Sequence, residues 1–465
     1  MNFALGRKRE EILIGGAIGL TAALIAIRPG FAGKGVAAAV AIAIPLLWWM
    51  LREPSRWLIL FLVSALLLPP LPVAIGDAGP HVAVLFAGCG LLIGMIHAVP
   101  ICVAANHMDR VGMALGVLFA AIAASVAMAA IYSGLTIAAA SMARVMLLGI
   151  SVYVFFFVRG SEVSFRIVRI LFWAGVGSAA FACLDFYFQF PAPGGYGPQF
   201  LWLESGMFRR AQGVFYVAST LGNLCAFFLV MIAVALFRPR EERPVSTITM
   251  LAGGVVLASA LVLSYSRASL VNLAVALVVL LWLNRRRLRL RRLLIGAGVV
   301  GGSAFAILFG LLPIFARAYW LRISQSFSYF LESPNAILSG RVHSWEILGQ
   351  FLLAHPWHAI LGIGYKTLPY SDFIGQTAIA DNTYLSMLVE TGIAGFTALV
   401  IWNISVIRAS YRAALSDDAR RSFCGAWMLC FWMGQTVQMF SADLLTYWRV
   451  LPVYFCVLAL AVRRR

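Results

Sequence analysis

Beyond its first eleven residues the chain is mostly a succession of apolar runs separated by short arginine-bearing turns. A helix needs ~20 apolar residues to cross the hydrocarbon core of a bilayer, with ~17 as the lower end. By that measure spans are expected near 12–28, 35–51, 57–73, 82–104, 111–131, 136–158, 167–190, 215–237, 246–264, 268–284, 293–313, 382–407, 421–440 and 444–462. The count is fourteen, or twelve if the weakest are set aside. The expected fold is an all-α polytopic bundle of 12–14 transmembrane helices. Composition supports this: 62% of the 465 residues are hydrophobic and 12% are charged, against roughly 45–50% and about 25% in soluble domains. That balance excludes a water-soluble globule, and it excludes disorder, collagen and coiled coil.

No fixed-period repeat or linker divides the chain, so residues 1–465 read as one membrane domain. Arg7, Lys8 and Arg9 ahead of the first run, with no small-residue cleavage site, predict an uncleaved first span. The seven cysteines all lie in apolar runs. With no CxxC and no Cys/His ligand spacing, neither a disulfide framework nor a metal site is expected.

The net charge of +18, from 36 basic and 18 acidic residues, would suggest nucleic acid in a soluble protein. Here its distribution gives another meaning. With a cytoplasmic N-terminus, 25 of the 36 basic residues fall in cytoplasmic turns and tails, as the positive-inside rule requires. Both termini are then cytoplasmic. No nucleic-acid partner is expected. The other eleven lie on the outer side: Arg28, Lys34, Arg144, Arg209, Arg210, Arg267, Arg317, Arg322, Arg341, Lys366 and Arg449. Snorkelling toward lipid headgroups accounts for single cases; a cluster on that side points to an anion site.

One long polar segment, 313–381, forms a large outer loop. Its aromatics recur at helical spacing from Phe315 to Phe330 and again from Val342 to Leu352. Both stretches read as amphipathic interfacial helices broken at Ser333-Pro334-Asn335. Three patterns stand around it. Ser264-Tyr265-Ser266-Arg267 opens a span, where an arginine and hydroxyls at a helix N-terminus make a phosphate site. Gly340-Arg341-Val342-His343 is followed by His355-Pro356-Trp357 and Gly362-Ile363-Gly364. Asp381-Asn382-Thr383-Tyr384-Leu385 leads to Glu390-Thr391-Gly392, with Asn382, Ser386 and Glu390 forming a polar stripe down one helix. Intramembrane acids such as Glu390 and Asp185 are expected to face a cavity or a partner.

Taken together these motifs, with Arg210-Ala211-Gln212-Gly213 and Asn223 before them, resemble the bacterial O-antigen ligase and polymerase family. The resemblance runs from about Arg210 to Gly395. It implies a glycosyltransferase of the membrane GT-C-like kind in the inner membrane, needing no cofactor or metal. The donor would be a glycan linked to undecaprenyl pyrophosphate, and the acceptor a sugar hydroxyl on lipid A–core or on another lipid-linked repeat. Arg267 and Arg341, backed by Arg210, would hold the pyrophosphate, and Asp381 would be the base. Ser266, His343, Asn382, Tyr384 and Glu390 would complete the substrate site. Asp381 stands where ligases of this family carry a histidine, which favours a polymerase or an exopolysaccharide-type relative. Asp381 has an alternative role as helix N-cap, and His343 is a substitute base. A lipid-glycan flippase, a peptidoglycan-type polymerase and a structural subunit are the rival readings.

Overall fold

The computed structural model describes residues 45–50, 52–53, 55–71, 81–97, 109–190, 199–203, 206–215, 217–285, 320–321, 324, 341–370 and 380–463. The expected spans at 12–28 and 293–313 lie outside these, as does nearly all of the first amphipathic segment.

Every other expected span from 57 onward corresponds to a helix: α1 (Ser55–Leu67), α2 (Val82–His97), α3 (Arg110–Ser133), α4 (Leu135–Gly160), α5 (Arg166–Phe188), α6 (Ala218–Leu236), α7 (Thr247–Leu263) and α8 (Arg267–Leu283). After the large loop come α9 (Arg341–Ala354), α10 (Pro356–Leu361), α11 (Thr383–Ala414), α12 (Ala419–Gln438) and α13 (Leu451–Val462). The helix α9 falls where the second loop helix was expected and buries Leu348 and Phe351, but its apolar residues are spread around it rather than gathered on one face. Between α5 and α6 a two-stranded antiparallel hairpin, β1 (Phe200–Leu203) and β2 (Gly206–Arg209), pairs Phe200 with Arg209.

Among the described residues five helices, α3, α4, α5, α6 and α11, are long and apolar enough to cross a membrane, and five shorter apolar helices accompany them. Large apolar side chains face outward: α2 alone exposes Leu85, Leu91, Leu92, Met95 and Ile96. Water would not tolerate such a surface, whereas lipid does. The protein is an all-α polytopic membrane protein.

The helix α12 is the least apolar of the long helices yet sits at the centre, packed against α6, α8, α11 and α13. It can be polar because it meets protein rather than lipid. Its Trp427 indole donates to the Phe227 carbonyl at 2.8 Å, and that of Trp432 donates to Asn403 Oδ1 at 3.0 Å. Toward one end of the bundle, Asn223 and Asn272 each donate to both Gln435 and Gln438 at 2.8–2.9 Å, and the Tyr454 hydroxyl donates to Asn223 Oδ1. Interhelical bonds in lipid average about 0.6 kcal/mol each. This amide cluster therefore ties α6, α8, α12 and α13 together through several modest contributions.

The expected last span differs at its start. Residues 439–450 are turns with one 3-10 turn at Leu444–Thr446, and α13 begins at Leu451, seven residues later than expected. Pro452 suits the first turn of a helix, where a missing N–H costs nothing. Upstream of it, backbone polar groups have other partners. Arg449 is buried and donates to the carbonyls of Ala65 (2.8 Å), Leu68 (2.6 Å) and Val214, with its guanidinium over the Phe215 ring. It pins the end of α1 to the segment before α6.

Candidate active site at the arginine-lined end of the bundle

At the end of the bundle opposite the arginine-rich turns, α7 and α8 meet in the corner Ser264-Tyr265-Ser266. Ser264 Oγ bonds back to Leu261 O at 2.7 Å, closing α7, and Tyr265 takes a left-handed φ of 51°. Ser266 then caps α8, its Oγ 2.8 Å from Ser269 Oγ and accepting the Ser269 N–H. Arg267 is the first residue of α8. The corner packs so closely on α6 that a side chain at Gly222 would meet Ser264, Ser266 and Ser269 within 2.9–3.0 Å. The segment after β2 runs beside the same corner: Ala211 N–H donates to Leu263 O at 2.9 Å, and Arg210 Nε to Ser264 O at 2.9 Å. Two arginines from distant parts of the chain thus reach one place.

Arg341, the first residue of α9, is the third. Its Nε lies 3.2 Å from Asp381 Oδ2. One turn along the same face, the Trp345 indole donates to Ala380 O at 2.7 Å, which docks α9 on the residues before α11. Arg210 feels the charges of Arg341 and Arg267, and Arg267 feels that of Arg341. Burial, reinforced by these like charges, presses Arg210 below the usual guanidinium range; it remains a cation. Tyr447, from the 439–450 turns, closes the group. Its hydroxyl donates to Ser219 Oγ at 2.7 Å, and it senses Asp381, Arg210 and Arg341. Burial raises its phenol to about 12, so it stays a neutral donor.

The helix start excludes one of the two roles considered for Asp381. The N-cap of α11 is Asn382, whose Oδ1 accepts from the N–H groups of Tyr384 (3.0 Å) and Leu385 (3.1 Å). Asp381 stands one residue outside, at φ 40°, with its carboxylate turned to Arg341. The capping role belongs to Asn382.

Below it the Gly362-Ile363-Gly364 step enters the bundle. The helix α11 breaks at Gly392 (φ 70°, ψ −173°), which frees carbonyls in the preceding turn. Ile363 N–H takes Val389 O at 3.0 Å and Gly364 N–H takes Glu390 O at 2.8 Å. Irregular backbone survives at membrane depth where protein supplies its partners. A side chain on Gly392 would strike the Ile360 carbonyl, and one on Gly362 the Glu390 carbonyl, so both glycines serve close backbone approach. The inserted chain is further laced by Tyr365 N–H to Ser125 Oγ (3.2 Å), Ser141 Oγ to Tyr365 O (2.6 Å) and Arg144 to Lys366 O (2.7 Å). It delivers Lys366 to the polar stripe of α11: Nζ is 3.3 Å from Ser386 Oγ and 3.6 Å from Glu390 Oε2, and is bonded to Asp443. Ser386 donates to Glu390 at 2.9 Å.

The residues expected from the sequence are therefore sorted. Arg210, Ser266, Arg267, Arg341 and Asp381 converge. Glu390 lies deeper, held by Lys366 and Ser386. Tyr384 points to α12, its hydroxyl donating to Thr436 O at 3.1 Å. His343 sits two positions along α9 from Arg341, so it faces away; its side chain is 67% exposed, 4.0 Å from Glu346. Two other cations at this end have other work: Arg209 pairs with Asp185 at 3.0 Å, and Arg449 binds backbone. Asp443, Tyr447, Gln435 and Gln438 were not singled out by the sequence; only the polar letters within apolar runs mark them.

Residues 252–400 match the family model described as O-antigen ligase. Over that stretch, about a third of its length, the chain is similar to the O-antigen ligase family. The match runs from α7 into α11 and takes in Arg267, Arg341, Lys366, Asp381 and Glu390; Arg210, Asp443 and Tyr447 come from outside it. The match supports a role in surface polysaccharide assembly. It also supports a glycosyltransferase-like ligase or polymerase activity on a lipid-linked glycan and an acceptor. No curated protein matches the chain.

Proposed function

We propose that the arginine-lined end transfers a glycan from a polyisoprenyl-pyrophosphate donor to a sugar hydroxyl at the outer face of the inner membrane. One observation carries this reading: Arg210, Arg267 and Arg341 are gathered within reach of one another's charge, beside the carboxylate of Asp381. Three cations repel when brought together, and a pyrophosphate relieves that repulsion. In the step itself the acceptor oxygen attacks the anomeric carbon, the bond from that carbon to the pyrophosphate oxygen breaks, and the hydroxyl proton passes to Asp381. The lipid pyrophosphate leaves with the bonding electrons, its new charge met by guanidiniums that were already in place. Such preorganised donors are worth most where water is scarce. Arginine suits the task because its planar fork makes paired bonds to phosphate oxygens. In this reading the arginines do what a metal does elsewhere, and a chelator leaves transfer unchanged.

Transfer accounts for the arrangement better than transport does. The charged groups sit at one end of the bundle, and buried Trp402, Trp427, Trp432 and Phe455 fill the interior beyond them. An aspartate in the histidine's place favours a second lipid-linked repeat as acceptor. Deletion followed by gel analysis of surface glycan and lipid-linked intermediates tests this. Accumulation of single lipid-linked repeats is the expected result. Long unattached polymer would instead mark a ligase, and unchanged glycan with unchanged intermediates would overturn the proposal.

A further inference from the structure

Lys366 is 7% exposed and meets two carboxylates, Asp443 and Glu390, with Ser386 beside them. One ammonium thus faces two carboxylates, with the Arg144 guanidinium beside them on the Lys366 carbonyl. Asp443 Oδ1 is buried and has no hydrogen-bond partner among the described residues. Such a cluster is expensive to keep in a membrane protein, and packing alone does not require it, since an apolar trio would fill the space. Its position suggests what it supplies. Thr383, two residues after Asp381, donates its N–H to Met439 O (2.8 Å) and its hydroxyl to Ala442 O (2.7 Å), and accepts the Leu444 N–H (3.2 Å). Those partners flank Asp443 on both sides. The start of α11, which carries Asp381, is thus stitched to the turn that carries Asp443. The Lys366 charge also reaches Asp381.

We propose that Lys366, held between Asp443 and Glu390, is a positioning residue for Asp381. It locks the inserted Gly362–Thr367 segment and the 439–444 turn against the start of α11, and it sets the charge around the reacting carboxylate. The inference rests on Asp381 as the base of the transfer. The charged and titratable groups around the pair are Arg341 from α9, Arg144 from α4, Tyr365 from the inserted segment, Glu390 from α11, and Asp443 and Tyr447 from the turn before α13. Burial pulls the Lys366 ammonium below its ordinary value, while the Glu390 charge pushes it back up.

The two partners carry opposite charges, so removing each must move the reaction's pH profile in opposite directions. In purified protein with a lipid-linked donor, Lys366→Met is expected to move the acid limb of kcat/KM to higher pH, because a cation is lost. Asp443→Asn is expected to move it to lower pH, because an anion is lost. The double variant Lys366→Met/Asp443→Asn removes one charge of each sign and leaves Glu390 bonded to Ser386; it should keep the limb near its wild-type position and lose kcat more than KM. Lys366→Arg should recover part of kcat. Limbs that stay in place in both single variants, with only amplitude or folded yield reduced, would overturn the positioning role. Failure of the underlying reading is separate: it would show as undiminished transfer by Asp381→Asn.

Discussion

Arg449 and the group Arg210, Arg267 and Arg341 lie at the same end of the bundle, and the positive-inside rule explains neither. The structure treats them differently. Arg449 is buried, and its guanidinium donates to three backbone carbonyls from two separated segments. The other three are held near one another against their own repulsion, and Arg341 shares the corner with a carboxylate. Three backbone bonds mark Arg449 as a fastener, whereas Arg210 gives its Nε to one backbone carbonyl and Arg341 faces a carboxylate, and these are the arginines of the proposed receptor. Neutralising a fastener should cost stability; neutralising a receptor should cost turnover.

The comparison can be broken most sharply at the receptor. Replacing Arg267 or Arg341 with alanine should reduce transfer about 10²–10³-fold, the loss typical of one charge-stabilising donor, with folded yield unchanged. Lysine should restore only part, keeping charge but losing the paired geometry. Wild-type rates in Arg267→Ala would remove it from the receptor class. At the fastener, Arg449→Met should strand the Ala65 and Val214 carbonyls at about 1–3 kcal/mol each. A lower melting temperature in detergent, with normal turnover per folded molecule, is the expected outcome; equal melting with lost turnover would reverse the assignment. The smallest effect concerns His81, beside the fastener. Its Nδ1 accepts the Ala83 N–H at 3.0 Å, so Nε2 carries the proton donated toward Leu68 O at 2.9 Å. Burial, then the charge of Arg449, lowers its pKa to about 4 from an ordinary 6.5. The folded state thus binds the proton more weakly than the unfolded state. The stabilisation is complete above 6.5 and is lost as pH falls from there toward 4. Melting temperature followed across that window should drop less steeply in His81→Gln.

The span pattern was legible because hydropathy is local: each helix from α1 to α12 is a continuous apolar or mixed run, readable without knowing its neighbours. The last span was misplaced at its start because Leu444, Leu445 and Val450 look like membrane residues in isolation, whereas Asp443, Tyr447 and Arg449 between them answer to partners far away. That Arg267 and Arg341 come together was legible because both open a helix, at Ser266-Arg267 and at Gly340-Arg341 in the large loop. The Lys366 cluster was not. Its members are separated by 20 and 77 positions, and only the break of α11 at Gly392 lets the inserted segment bring them together. Gln435 and Gln438 were hidden for a related reason, since α12 gains its tolerance for amides by being surrounded by protein.

The central claim is that Asp381 takes the acceptor proton, and the helix cap makes its test clean. Asn382, not Asp381, caps α11, so Asp381→Asn removes the base while leaving the cap and most of the side-chain volume in place. Initial rates of glycan transfer from a lipid-linked donor, measured with purified Asp381→Asn of wild-type melting temperature, should fall to near background. Asp381→His should recover part of the rate, with its pH dependence moved toward the imidazole range. Near-normal transfer by the asparagine variant would contradict the account, leaving Arg341 paired to a carboxylate that does no chemistry.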